Sequence, residues 1–394
     1  MRISKLATGV PESVTLAVTA KAKQLKAEGV SVISFAAGEP DFDTPEFIKD
    51  AAKVALDEGK TKYTAASGIS QLKEAICRKL QRENGVSYSP ENVIVSSGAK
   101  SSLYLAMLAC LDEGDDVIIP SPYWVTYPEL VKICGAKPVF VETKNSGYKM
   151  TAQSFSSAIT KKTKMLVLNT PCNPTGTVYD KALLKEIGKI AVENDIFILS
   201  DEVYEQLVYG VEHVSIASLG EQIKKQTITV NGMSKSFAMT GWRVGYAAAD
   251  KEIIKAMAGL QSHTAGNTCS IAQYASVAAF IGGGKFEKDE RDVFAKRRDL
   301  IVSLAEKLEN VTFVRPDGAF YLYMNVSAYY GKKWGNKPVI DSILFSQALL
   351  DNGVAVIPCK PFGDDNCIRL SYAIGEDEIA EGLKRISDFL KKLK

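Results

Sequence analysis

Seven short, apolar, β-rich runs, spaced by segments of helical length, constrain the fold of this chain more than any other feature. They fall at residues 92–96, 116–120, 137–142, 165–169, 196–200, 227–230 and 244–248. Between most of them lie amphipathic stretches such as 99–111 and 181–194. Strands that alternate with helices predict an α/β fold, a largely parallel sheet with helices on its faces. Runs such as MLVLN and IFILS are apolar almost throughout, as strands covered on both faces should be.

Past residue 285 or so the pattern changes. A long charged helical stretch leads into VTFVRPDGAFYLYMNV, a helix, VAVIPC, CIRLSYA and a final amphipathic helix. We therefore expect a large domain over 46–285 holding a mostly parallel seven-stranded sheet, and a smaller α+β domain over 286–394. Residues 1–45 would form an arm that packs with the smaller domain. A chain of 394 residues accommodates roughly two to three such units.

Several function classes are disfavoured. Lys and Arg number 48 against 46 acidic residues, a net charge of +2, so there is no one-signed field for nucleic acid or an anionic membrane. No run approaches the ~18 apolar residues of a membrane span, and the N-terminus lacks a sustained apolar signal region. The only two histidines, His213 and His263, exclude a His-rich metal site and read as surface or capping residues. No metal is expected. Seven scattered cysteines without a CxxC read as reduced thiols in a cytoplasmic compartment. GGGK at 282–285 lacks GxGxxG spacing and reads as a plain loop, and no Walker A motif is present.

In a parallel sheet, ligands collect at the carboxyl ends of the strands. Gly98, Ala99 and Lys100 follow the first run and open a helix, whose exposed N–H groups suit a phosphate. Tyr123 and Trp124 follow the second run. Asn173 lies in NTPCNPTG, Asp201 and Tyr204 follow IFILS, and Ser234, Lys235 and Arg243 follow TITV. Singly, each has an ordinary reading: an Asp after a strand is often a cap, and a lone Lys is usually solvated. Together they match what a phosphorylated pyridine aldehyde needs. A lysine would form its Schiff base, a carboxylate would keep its ring nitrogen protonated, an aromatic plate would stack on the ring, and an anion cup would take the phosphate.

The ordered strings AAGEPDFDTP, KTKYTAASG, SPYWVTYPE, CNPTG, SDEVYE, AMTGWRVGYA, PDGAFY and CIRLSYA closely resemble the class I aminotransferases, the fold type I enzymes that use pyridoxal 5'-phosphate. Within that family the sequence is most similar to the bacterial aspartate branch that also uses prephenate or arogenate. The resemblance implies a site residue by residue. Lys235 would carry the cofactor and shuttle the proton, Asp201 would pair with the pyridinium, and Tyr204 and Asn173 would donate to the ring phenolate. Trp124 would stack on the ring. Gly98, Ala99, Lys100, Ser234 and Arg243 would surround the phosphate, and Tyr63 would reach the phosphate of the neighbouring subunit in a homodimer with shared sites. Arg369 would clamp the substrate α-carboxylate, aided by Asn173, Trp124 and Gly38.

There are departures from the family pattern. Gly232 stands where the family often has a phosphate-binding Ser, and no arginine between Asp250 and Lys285 is available to take a distal carboxylate. In the branch resembled, a lysine at the place of Lys100 does that work with hydroxyls near the N-terminus, here Ser13 and Thr15. The implied reaction is transfer of an amino group between amino acids and 2-oxo acids. One form is L-aspartate with 2-oxoglutarate, with prephenate as a further acceptor. The other is an aromatic, alanine or kynurenine aminotransferase, or a β-lyase, on the same fold.

Overall fold

The computed structural model describes residues 3–394. Its centre is a seven-stranded sheet: β1 (Val93–Ser96), β2 (Asp116–Ser121), β3 (Lys137–Glu142), β4 (Thr163–Asn169), β5 (Phe197–Asp201), β6 (Thr227–Gly232) and β7 (Gly245–Ala248), in the order β1-β7-β6-β5-β4-β2-β3. Each of the seven expected runs is one of these strands. All neighbours pair in parallel except β7, which runs antiparallel to both β1 and β6.

Alternate residues of the central strands enter different cores. Ile119, Val167, Leu199 and Val230 pack on one face with the helix Ala99–Cys110. Ile118, Leu166, Leu168 and Ile198 pack on the other with Lys181–Glu193. Apolar side chains are needed on both faces, which removes the polar alternation a half-exposed strand would show.

The reversed strand determines what reaches the site. Gly245 pairs with both Ser96 and Gly232, so the start of β7 lies at the sheet edge where β1 and β6 end. Arg243, two residues earlier, arrives beside Gly98 and the turn carrying Lys235. A Cβ on Gly245 would run into the backbone of Gly98 and Ala99, so these two strand ends meet at a distance only glycine allows.

A second, antiparallel sheet comprises β8 (Thr312–Phe313), β9 (Tyr321–Asn325), β10 (Ile357–Pro358) and β11 (Cys367–Ser371), ordered β10-β11-β9-β8. The helix Glu376–Lys392 covers it with Ile379, Leu383, Ile386 and Phe389, spaced to fall on one face. Ile33–Ser34 pairs in parallel with Val354–Ala355, and Ser371 N–H donates to Phe35 carbonyl at 2.9 Å. The chain then passes Ala36, Ala37 and Gly38 beside β11, from which Arg369 projects.

The glycine run at 282–285 is a helix junction rather than a loop. Ser270–Gly282 ends, Gly283 turns, and Gly284–Ala305 begins. The turn lies against Phe237 and the Ala279 carbonyl, where a Cβ on Gly283 would collide. Among the described residues, no helix is long and apolar enough to cross a membrane.

Candidate active site

The ends of β1, β2, β4, β5 and β6, together with Gly38 and β11, enclose a cavity of about 370 Å³. Of the residues expected at a site, Ser13, Thr15, Gly38, Ala99, Lys100, Trp124, Asn173, Asp201, Tyr204, Ser234, Lys235, Arg243 and Arg369 line it. Gly98 lies just beneath, at φ 89°, with its open side against the Arg243 guanidinium. A side chain there would fill the space Arg243 uses. Tyr63 is not brought to this cavity and is 95% exposed.

Lys235 sits in the short helix Met233–Ser236 after β6, and its amine donates to the Gly38 carbonyl. Phe320 and Tyr204 rings lie 5.7 and 5.9 Å from it. Burial lowers its pKa to about 8; Glu39 opposes the shift, and Arg369 and Arg243 add to it. A lysine near neutrality can act as both nucleophile and base.

Asp201, the last residue of β5, is 3% exposed. Burial raises its pKa to about 6, against the hydrogen bonds that its carboxylate accepts from Tyr127 hydroxyl at 2.7 Å and Val203 N–H at 3.3 Å. A cation placed against it would bring the carboxylate back to its charged form. Tyr204 shares a 2.7 Å hydroxyl hydrogen bond with Tyr321.

The site's cations have neutral partners. Arg243 donates to the Thr240 and Ser97 carbonyls at 3.0 and 3.3 Å, from a backbone at φ 56°. That left-handed conformation costs a non-glycine residue about 1–3 kcal/mol. Arg369, 1% exposed, donates to Asn173 Oδ1 at 2.8 Å and Ala36 carbonyl at 3.4 Å, and its buried Nε has no partner. Lys100 holds its ammonium 4.9 Å from the Trp124 ring centroid. Burial, then the Arg243 charge, lowers its pKa. None of the three pairs with a carboxylate of the described residues.

The residues fit pyridoxal phosphate: a buried carboxylate for the ring nitrogen, a near-neutral lysine for the aldehyde, and Arg243 with the start of Ala99–Cys110 for the phosphate. Gly232 adds no side chain, and a Cβ there would come within 3.0 Å of the Val244 carbonyl. The β6–β7 contact therefore leaves little room for the serine common in the family.

Among the site residues not singled out from sequence are Tyr127 and Tyr321. Tyr127 is three positions beyond Trp124 at the start of a helix, and the two rings meet edge to face at 5.4 Å. That helical spacing was a usable signal. Tyr321 lies across the Arg369 guanidinium at 4.3 Å, through a cross-strand packing that no local pattern encodes. His213 corrects an expectation. Its side chain is only 7% exposed and faces Glu202, because the segment after Tyr209 folds back under the β5 end.

The family profile described as "Aminotransferase class I and II" matches residues 30–386. A Bacillus subtilis (strain 168) protein named aspartate aminotransferase is 45% identical over 395 residues, covering 100% of both chains. A protein of Aquifex aeolicus named probable aspartate/prephenate aminotransferase is 46% identical, over 97% of this chain and 96% of its own. Among solved structures, the Thermus thermophilus aspartate aminotransferase with maleate superposes with a TM-score of 0.94 at 42% identity, covering 99% of this chain and 100% of that one.

Proposed function

This chain belongs to the class I and II aminotransferase family, and from that premise we propose a pyridoxal-phosphate-dependent transfer of the amino group of L-aspartate to 2-oxoglutarate, with prephenate as a second acceptor. One observation carries the substrate class. The cavity is lined by Lys100, Lys235, Arg243 and Arg369 against two acids, Glu39 and Asp201. A cofactor phosphate would answer Arg243, and the two carboxylates of a dicarboxylic amino acid would answer Arg369 and Lys100. A monocarboxylic substrate would leave the Lys100 ammonium at the cavity wall without a carboxylate to answer it. The similar Thermus thermophilus structure holds maleate, itself a four-carbon dicarboxylate.

When bound, pyridoxal phosphate supplies an aldehyde that condenses with amines and a ring that accepts the electron pair from substrate Cα. Asp201 keeps a proton on the ring nitrogen, and Tyr127 orients that carboxylate. Arg369, steadied by Asn173, holds the α-carboxylate and so sets which Cα bond faces Lys235. Lys235 takes the α-proton of the amino acid, and in the reverse half-reaction returns a proton to the keto carbon. Trp124 and Tyr204 close the walls against water.

We read residues 1–45 and 286–394 as one smaller unit that closes over the site of 46–285, and Tyr63 as completing the site of a second protomer. Exposed apolar side chains, among them Leu16, Val54 and Ile281, support a homodimer.

Absorbance titration tests the proposal. Purified protein should show a band at roughly 360–430 nm, as expected of the bound aldehyde, that moves to shorter wavelength with aspartate far more readily than with alanine. Lys100→Ala should lower kcat/KM for aspartate by ~10-fold or more, the loss of the charge that answers the distal carboxylate, while alanine and phenylalanine change little. A uniform loss across the three would instead favour an aminotransferase of another specificity.

A further inference from the structure

A second buried polar assembly lies behind the strand end that carries Asp201. Asp201 and Tyr204 line the cavity, whereas the intervening Glu202 and the following Glu205 do not. These two are 0% and 7% exposed. Glu202 accepts from the Ser200 and Ser215 hydroxyls at 2.8 and 2.9 Å and faces His213 Nε2 at 3.3 Å. Glu205 accepts from the Lys79 ammonium, from the Asn231 amide at 2.6 Å and from the Asn84 amide at 2.7 Å. Burial opposes its charge, but Lys79, His213 and Asn84 outweigh that and hold the carboxyl below its usual range. With His213, the two carboxylates offer three ligand atoms within 4.8 Å of one another, yet the Lys79 ammonium already fills the cation's role.

The position of this carboxylate in the sheet matters more. The β5–β6 ladder runs out at the pair Asp201 and Val230, followed by a Glu202 N–H to Val230 carbonyl bond of 2.9 Å. Beyond it the two turns diverge, one carrying Tyr204 and the other leading to Lys235. Glu205 spans them. It belongs to the first turn, and its partner Asn231 is the next-to-last residue of β6, just before the second, where Asn231 Oδ1 accepts from Gly232 N–H at 2.7 Å. Lys79 and Asn84 fix the same carboxylate to the helix Ser70–Asn84.

We propose that Glu205 is a positioning residue for amino-group transfer: through Asn231 it sets the separation of Asp201 and Lys235, the groups at opposite ends of the cofactor ring. This rests on the roles given to those two residues above. The largest charge effects on the Lys235 amine come from Glu39, Arg369, Arg243 and Glu290, while Glu205 reaches that turn through its bond to Asn231.

The test uses the holoenzyme, the pH midpoint of its visible band and its melting temperature. Glu205→Ala should lower kcat by ~10–100-fold and move the midpoint by about half a unit or more, with KM for aspartate changed less than ~3-fold, as a displaced reacting group predicts. Glu205→Gln keeps an oxygen for Asn231. It should recover most of kcat and bring the midpoint back to within ~0.2 units, although its melting temperature also falls because Lys79 loses a counter-charge. Should Glu205→Ala fail to fold, Asn231→Ala carries the same expectation. Equal displacement of the band by the Ala and Gln variants overturns the proposal. So does an Ala variant with wild-type midpoint and kcat and only a lowered melting temperature. A wild-type protein with no visible band at any pH would sink the cofactor reading itself, which is a separate failure.

Discussion

Lys235→Ala is expected to abolish multiple turnover, lowering steady-state transamination by ~10⁴-fold or more. A positioned general base alone contributes ~10²–10⁴-fold, and in the proposed reaction this lysine would also supply the amine that holds the cofactor. The other amine lining the cavity, that of Lys100, lies over the Trp124 ring and not at the turn after β6. Lys235→Arg should fare little better, because a guanidinium stays protonated at any working pH. Coupled steady-state assays with aspartate and 2-oxoglutarate check both variants. Turnover within tenfold of wild type in the alanine variant would remove Lys235 from the role given to it.

Arg369→Ala should lower kcat/KM for every amino acid tested by roughly 30- to 5,000-fold, equivalent to about 2–5 kcal/mol for deserting a buried carboxylate. The guanidinium is 1% exposed, is held by Asn173 and Tyr321, and keeps its Nε free for an incoming oxygen. Arg369→Lys should restore only part of the loss, because an ammonium cannot reproduce a two-pronged grip. The contrast with Lys100 is diagnostic. Loss at 369 should be indifferent to the substrate side chain, whereas loss at 100 should fall on acidic side chains. If Arg369→Ala impaired aspartate alone, the two roles would have to be exchanged.

Much of the fold was legible because its signals are local. Short apolar, β-rich runs marked all seven strands of the large sheet, and the rule that ligands gather at strand ends then led to Asp201, Lys235 and Asn173 without any structure. What stayed hidden depends on direction and long-range packing. Periodicity says that 244–248 is a strand but not that it runs backwards, and the reversal is what carries Arg243 to the cup at Gly98. Tyr321 stacks on Arg369 through a pairing between strands distant in sequence. His213, read as a surface or capping residue, is half-buried and turns its ring to Glu202 beside Glu205. Three successive glycines suggested a loop, yet they join two helices where Phe237 leaves no room for a side chain. Tyr63 lies outside the cavity of its own chain, and no local pattern says which site, if any, it completes.

The pairing of Ile33–Ser34 with Val354–Ala355 also bears on how the protein is made. Arg369 and the Ala36 carbonyl it grips are 333 positions apart. The central sheet, complete by residue 248, can form while the ribosome is still adding residues, but the clamp proposed for the substrate cannot. A nascent chain stalled before β11 would carry the lysine without the arginine proposed to hold its substrate.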